Sequence, residues 1–338
     1  VMPLGTGRSH LLRVQARGAT LAVDFSHILT DGSGALRFLG TLATQYLRLR
    51  GVRVTDWEPF PNPEQPPSPE EYEDAYGRFF DSRLPPPPRL SAAYHLPDPA
   101  LPRYRVITGR MSAAGLLGLA RARDVSVTEY VVALYMHALT EIRAADAELR
   151  KPAGKGIVRI EVPVDMRRFH TTCTMRNFSL YVSPEIDLRL GPYRFDEILG
   201  RVHHSMRLQV DRKELDRQIA RNVRAERNRF IRILPLFLKD LLLSQVRQRI
   251  GETPYSGVLS NLGRIPVPAE VDPHIASFGL MLGPNPRMKV NCAMMTFRDD
   301  LSISFGSVVE HREFERRFFS HLAHAGVPVL ITERNSDS

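Results

Sequence analysis

The stretch Ser26-His27-Ile28-Leu29-Thr30-Asp31-Gly32 decides how this chain is read. Two runs of strand character precede it, Leu11-Leu12-Arg13-Val14-Gln15-Ala16-Arg17 and Thr20-Leu21-Ala22-Val23-Asp24-Phe25. Gly18-Ala19 falls between them as a tight turn, so the pair reads as a hairpin. After the stretch, Ser33 to Arg50 carries Leu36, Leu39, Ala43, Tyr46 and Leu47 on one stripe and reads as a helix. His27 and Asp31 therefore fall between a strand end and a helix start, where a rigid scaffold can present a side chain to a cleft.

A neutral imidazole accepts a proton near pH 7 better than any other unperturbed side chain. As a general base it can deprotonate a hydroxyl, an amine or a thiol attacking a carbonyl. A carboxylate four residues on can orient the segment if it meets an arginine, and Gly32 relieves the turn of a Cβ. A surface histidine before an Asp-Gly turn has the same spacing, so spacing alone leaves both readings open.

The pattern His27-x-x-x-Asp31-Gly32 after an apolar strand resembles the HxxxDG signature of the CoA-dependent acyltransferase superfamily. That group includes chloramphenicol acetyltransferase, dihydrolipoyl acyltransferases, nonribosomal peptide condensation domains and alcohol acetyltransferases. Many relatives carry a second histidine just before the first; here Ser26 stands there, which the acetyltransferase branches tolerate. Pro163-Val164-Asp165-Met166-Arg167 and Arg176-Asn177-Phe178 resemble the PVNLR…RNF stretch of bacterial alcohol acetyltransferase-like proteins, with Asp165 in place of the usual asparagine. Ser260-Asn261-Leu262-Gly263 resembles the SNLG strand of dihydrolipoyl acyltransferases and of the alcohol acetyltransferase-like branch.

The 338 residues suffice for one large domain or two ordinary ones, and 43% hydrophobic with 25% charged residues is a globular composition. No run approaches the roughly 20 apolar residues of a membrane span, and the start carries no signal-peptide pattern. Cys173 and Cys292 form no disulfide framework, so a reducing, cytoplasmic setting is the default. The net charge of +9 suits anionic ligands such as coenzyme A or an acidic protein face. Zinc-finger, RRM and KH signatures are lacking, so nucleic acid is not expected as a partner.

Along the chain, prolines crowd the region from Asp56 to Pro102, which reads as a long surface connector with a short helical patch from Glu70 to Phe80. Strands are expected over Tyr104–Arg110, Ile157–Val164 (broken by Pro163), Ser277–Gly283, Lys289–Phe297 and Leu301–Val308. Helices are expected from Ser112 to Ala122, Thr128 to Ala147, Phe195 to Gln248 and Glu313 to Ala325. The Tyr130–Leu139 stretch is apolar nearly all round and belongs in a core, with His137 as a packed core histidine. Arg217, Arg221, Arg224, Arg227 and Arg229 read as a solvated, ion-paired face. Phe230–Leu243 mixes cations with large apolar residues, fit to cover a tunnel or core, or to lie on a membrane surface. Adjacent His203 and His204 share no helix face; His321 and His324 share one but have no third ligand nearby in the sequence.

The resemblance implies an α/β protein of the chloramphenicol-acetyltransferase-like fold, closest to the alcohol acetyltransferase-like and condensation-domain-like branch. It implies two similar lobes with mixed sheets and an active-site tunnel between them. Residues 1–102 would form the N-terminal lobe, without its usual first strand and helix, and residues 103–338 the C-terminal lobe. It assigns His27 as general base, Ser260 (or, second, Asn261) as the oxyanion donor, and Asp31 and Gly32 to the catalytic loop. Arg167 would pair with Asp31, with Arg176 as the next choice, and Asn177 would support the site. The donor would be acyl-CoA as co-substrate, with no bound cofactor or metal, and the acceptor a small or lipid-like alcohol or an amine. Membrane contact would be peripheral at most. The rivals are a condensation-type enzyme drawing on an acyl carrier protein and a non-catalytic member that binds an acyl ligand.

Overall fold

The computed structural model describes residues 10–145, 156–228 and 254–335. They fall into two compact units. The smaller holds the described residues up to Phe80 with Asp165–Leu180 and Arg264–Phe278; the larger holds Asp81–Val164, Tyr181–Gly263 and the chain from Gly279 onward.

In the smaller unit, β1 (Leu12–Arg17) and β2 (Thr20–Phe25) pair antiparallel, from Leu12 opposite Phe25 to Arg17 opposite Thr20. Gly18 makes the turn with a φ of +55°, a conformation open to glycine. Helix α1 (Gly32–Leu49) follows, and Phe38 on it meets Phe25 edge-on, the ring centroids 5.5 Å apart. The helix lies so close to Phe60 that a Cβ on Gly40 would stand 2.3 Å from that ring. The patch expected from Glu70 to Phe80 is a capped 3-10 turn, Pro69–Tyr72, followed by the single turn α2 (Ala75–Arg78).

The larger unit is built on an eight-stranded mixed sheet of β3 (Arg105–Ser112), β4 (Ile157–Asp165), β5 (Ser179–Val182), β6 (Glu185–Asp187), β7 (Gly257–Arg264), β8 (Val290–Phe297), β9 (Asp300–Ser307) and β10 (Leu330–Asn335). The order is β10-β3-β9-β8-β7-β4-β5, with β6 beside β4. The pairs β10/β3, β3/β9, β8/β9 and β4/β6 are antiparallel, while β4 and β7 run parallel. Around the sheet lie α3 (Ala113–Arg121), α4 (Val127–Ala145), α5 (Phe195–Gln209), α6 (Arg212–Arg227) and α7 (Glu313–His324). As its apolar circumference demands, α4 is buried along most of its length, against α5 on one side and α7 on the other. The Tyr135 hydroxyl donates to the Val290 carbonyl and abuts Gly257, where a Cβ would stand 2.1 Å from it. Phe305, Phe314, Phe318 and Phe319 close the other side of this core with edge-on ring contacts.

Several expectations need correcting. Ser277–Gly283 is not a strand: its residues are largely exposed, with no buried face to reward pairing. Edge strand β10 was not foreseen. Pro163 does not break β4, which runs on to Asp165, because Pro163 lies beyond the residues registered with β6 and β7. As far as it is described, to Asn228, the long helix expected from Phe195 to Gln248 is two, α5 and α6, broken at Val210–Asp211 where the Asp211 carboxylate caps the second. The proline-rich connector is not purely superficial, since Ala93, Tyr94 and Leu96 are buried and the Tyr94 amide donates to the Ile157 carbonyl at 2.7 Å. The arginines of α6 do more than face solvent. Arg217 donates to the carbonyls of Pro85 (3.3 Å) and Pro86 (2.9 Å), and Arg224 to those of Ser82 and Leu84, clipping the connector down. The Phe230–Leu243 segment lies outside the described residues. Among those residues no helix is long and apolar enough to cross a membrane.

Candidate functional site

The hairpin delivers the motif directly. The Ser26 amide donates to the Leu11 carbonyl at 2.8 Å, ending the ladder, and the Leu29 amide folds back on the Ser26 carbonyl at 3.0 Å. His27 sits at the crest of this turn with its side chain exposed, flanked by exposed Ile28 and Leu29. The chain then dives inward, and Thr30 and Asp31 are both buried.

Asp31 is the N-cap of α1. Its Oδ1 accepts from the Gly34 amide at 3.0 Å and so satisfies a donor that the helix itself cannot. Its Oδ2 accepts twice more, from the Phe178 amide at 2.7 Å and from Arg167 Nη1 at 2.9 Å. Arg167 in turn reaches Asp165 Oδ1 with Nη1 (2.8 Å), the Thr174 carbonyl with Nε (2.9 Å) and the Arg176 carbonyl with Nη2 (2.8 Å). Asp165 Oδ2 accepts from Ser33 Oγ at 2.7 Å. Burial works against the charge on Arg167, but the Asp31 and Asp165 carboxylates outweigh it and raise its pKa. Two carboxylates on one guanidinium leave an excess negative charge, and the N-terminus of α1 lies where it can offset that charge.

The supporting strap, residues 165–180, is shaped to this loop. Thr30 Oγ1 donates to the Met175 carbonyl at 2.6 Å. A Cβ on Gly34 would stand 2.0 Å from Thr30 Oγ1 and 2.8 Å from the Met175 carbonyl, so the contact requires glycine there. Asn177 Nδ2 donates to the His27 carbonyl at 3.3 Å, while its Oδ1 accepts from Ser179 Oγ at 3.0 Å. Behind the strap Phe178 is fully buried against Tyr76 and Phe79. The Tyr76 hydroxyl donates to the Ser179 carbonyl at 2.5 Å; burial, then the Asp31 charge, pushes its pKa well up.

The smaller unit thus gathers His27, Asp31, Gly32, Arg167, Arg176 and Asn177 around one loop, Arg176 through its carbonyl and with its side chain exposed. Gly32 is the first residue of α1. Sequence reasoning missed Thr30, Ser33, Gly34, Tyr76 and the second carboxylate, Asp165. The Gly32-Ser33-Gly34 run was the available signal for two of them.

Ser260 and Asn261 belong to the larger unit, on β7. Asn261 Nδ2 donates to Thr128 Oγ1 at 2.9 Å and its Oδ1 accepts from the Gly263 amide at 2.7 Å, so its amide group is occupied in fixing the strand end to the start of α4. Among the described residues Ser260 makes no such commitment. On the neighbouring strand, Glu161 is a carboxyl group whose pKa burial pushes up to about 7.

His137, expected as a packed core histidine, is half-buried on α4 and has company there. His137, Glu141 and His321 each offer a ligand atom, all within 4.8 Å of one another, so α4 and α7 supply the third group that the sequence around His321 lacks. The Glu141 carboxylate already faces His321 Nε2 at 3.0 Å and Arg317 Nη1 at 3.5 Å.

No family model matches this sequence, and no curated protein does. Solved structures do match. Polyketide synthase associated protein 5 from Mycobacterium tuberculosis aligns at 13% identity and a TM-score of 0.50, over 95% of this chain and 78% of its own. The epimerization domain from the third module of tyrocidine synthetase B aligns at 11% identity and 0.50, over 90% of this chain and 68% of its own. The nonribosomal peptide synthetase FmoA3, with AMPPNP bound, aligns at 15% identity and 0.50, over 96% of this chain and 33% of its own. The fold is that of the condensation-domain and chloramphenicol-acetyltransferase-like group. At these identities the likeness is one of fold.

Proposed function

We propose that this protein transfers an acyl group from an acyl-CoA thioester to a hydroxyl acceptor, with amines as the second acceptor type. The observation that carries the reading is the His27 loop. An exposed imidazole stands on a turn whose fourth following residue, Asp31, is fully hydrogen-bonded to the strap and to Arg167. A carboxylate so engaged orients the loop and does not meet substrate, which leaves His27 as the group free to move a proton.

In this reading His27 takes the proton of the acceptor hydroxyl as its oxygen attacks the thioester carbonyl. The Ser260 hydroxyl donates to the oxyanion that forms; the occupied amide of Asn261 favours Ser260 for that part. The tetrahedral intermediate collapses by breaking the carbon–sulfur bond, and the imidazolium returns its proton to the departing CoA thiolate. Acyl-CoA is a co-substrate, and no resident cofactor enters these steps. The likeness to a nonribosomal peptide synthetase supports a second donor, an acyl group on a carrier-protein thioester, for which the same proton transfers serve.

The test is release of free thiol from acyl-CoA across a panel of alcohols and amines. Acceptor-stimulated release is expected, falling roughly 10²–10⁴-fold in His27→Ala with the circular dichroism spectrum unchanged. A folded His27→Ala variant of near wild-type rate overturns the mechanism. Reaction only with a loaded carrier protein replaces acyl-CoA as donor.

A further inference from the structure

The parallel pairing of β4 and β7 places Glu161 opposite Val258. Side chains alternate between the two faces of a strand. Ile160 and Val162 on β4, with Gly257 and Leu259 on β7, are buried on one face. Glu161, Val258 and Ser260 fall on the other, less buried face. Glu161 therefore stands one step along the same face from the hydroxyl assigned to the oxyanion.

A carboxyl group in mid-sheet is rare unless paired. Among the described residues Glu161 has neither a hydrogen-bond nor an ion-pair partner. The cations nearest it in the strand and around Tyr255 are each engaged elsewhere. Arg159, two residues earlier on the same face, gives Nε to Glu185 at 2.6 Å and Nη1 to the carbonyls of Ser91 (2.7 Å) and Pro254 (2.8 Å). Arg221, on α6, ends on the Tyr181 hydroxyl at 3.1 Å. Tyr181 is hydrogen-bonded to Tyr255, which feels the Glu161 charge without bonding to it. An unpartnered polar group largely removed from water costs stability, and among the described residues nothing is held by this one. A group retained under those conditions is a functional-site candidate with a physical rationale.

We infer that Glu161 binds the acceptor: its carboxyl group takes a hydrogen bond from a second polar hydrogen of that molecule, so the preferred acceptors are diols and amino alcohols, not monofunctional alcohols. The inference rests on the acyl-transfer reading above and names the substrate class of that site. A neutral diol is bound by either protonation state of the carboxyl group. An amino alcohol, cationic at neutral pH, is bound by the carboxylate, and its advantage grows as pH rises through about 7.

The test compares propanol, propanediol and aminopropanol as acceptors by thiol release from acyl-CoA, in wild type, Glu161→Gln and Glu161→Leu. A hydrogen bond to a charged group contributes enough for a preference of about tenfold or more in kcat/KM for the difunctional acceptors over propanol. That ratio should collapse toward about one in Glu161→Leu. In Glu161→Gln the diol preference should persist in part, since the amide still accepts a hydrogen bond, while the amino alcohol loses its advantage and its pH dependence. Referring each rate to propanol at the same pH cancels every pH effect that the acceptors share. Equal ratios in all three proteins overturn the inference and leave acyl transfer standing. If none of the acceptors stimulates thiol release, both readings are overturned. If Glu161→Leu does not fold, the aminopropanol-to-propanol ratio of Glu161→Gln against pH decides: a pH-independent ratio near one supports the assignment, and the wild-type profile overturns it.

Discussion

Asp31 and Glu161 are both carboxylic side chains set where water reaches poorly, yet their surroundings differ in every particular. Asp31 accepts from two backbone amides and a guanidinium, and caps a helix whose N-terminus favours negative charge. Glu161 has no partner among the described residues, although Arg159 stands two positions away on the same strand face. The contrast separates two uses of a buried charge. Where both oxygens are engaged, the charge fixes a local structure, here the turn that presents His27. Where the lone pairs are left open, the group costs stability, and the acceptor role proposed above would give those lone pairs a partner.

The sharpest way to break this contrast is to remove the partner from Asp31. Arg167→Met leaves Asp31 and Asp165 facing each other without a cation, and should destabilise the protein by about 3–5 kcal/mol in urea unfolding. Asp31→Asn combined with Arg167→Met should be much less harmful than the sum of the two, giving a coupling of at least about 1 kcal/mol. Additive effects would show that Asp165 alone compensates the guanidinium.

Glu161 should respond with the opposite sign. Its pKa in the folded protein is raised from 4.5 to about 7, so between those values the folded state holds a proton that the unfolded state has lost. Stability from this group is therefore greatest below about pH 4.5, falls as pH rises toward 7, and levels off above. Part of the side chain remains accessible to water, which screens the charge, so the loss amounts to about 1–3 kcal/mol. Glu161→Gln should unfold like wild type at pH 5 and be the more stable protein at pH 8. Equal stabilities at both would mean that the carboxylate is well solvated and the contrast with Asp31 false.

How much of this was legible beforehand follows from the range of the interactions. The hairpin, α1 and the packed α4 come from local period and turn chemistry, and the sequence shows both. Asp31 with Arg167 was reachable through the resemblance of two short motifs 136 residues apart. Ser33 with Asp165, Thr30 with Met175 and the close approach at Gly34 were not, because each depends on how the strap lies across the helix start. Glu161 is, with Arg159, one of two charged residues in an otherwise apolar run. Its isolation depends on where Arg159 and Arg221 point, which no periodicity records. The His137, Glu141 and His321 group was lost for the same reason, its members being brought together by helix packing. Ser277–Gly283 failed in the other direction: strand-like residues there find no face to bury.

Asn177 gives the smallest and most discriminating effect. It sits in the same strap as the Asp31 partners, but half-exposed, and its Nδ2 holds the His27 carbonyl at 3.3 Å. Water can replace a hydrogen bond at such a site, so Asn177→Ala should change stability by no more than about 1 kcal/mol. The His27 carbonyl would nevertheless lose its one side-chain partner among the described residues, and a base displaced by a fraction of an ångström transfers protons poorly. A severalfold drop in kcat with KM unchanged is therefore expected, and Asn177→Ser, which keeps a short donor, should recover part of it. A fall in stability as large as that of Arg167→Met would place Asn177 with the structural charges instead; a rise in KM alone would place it against the substrate.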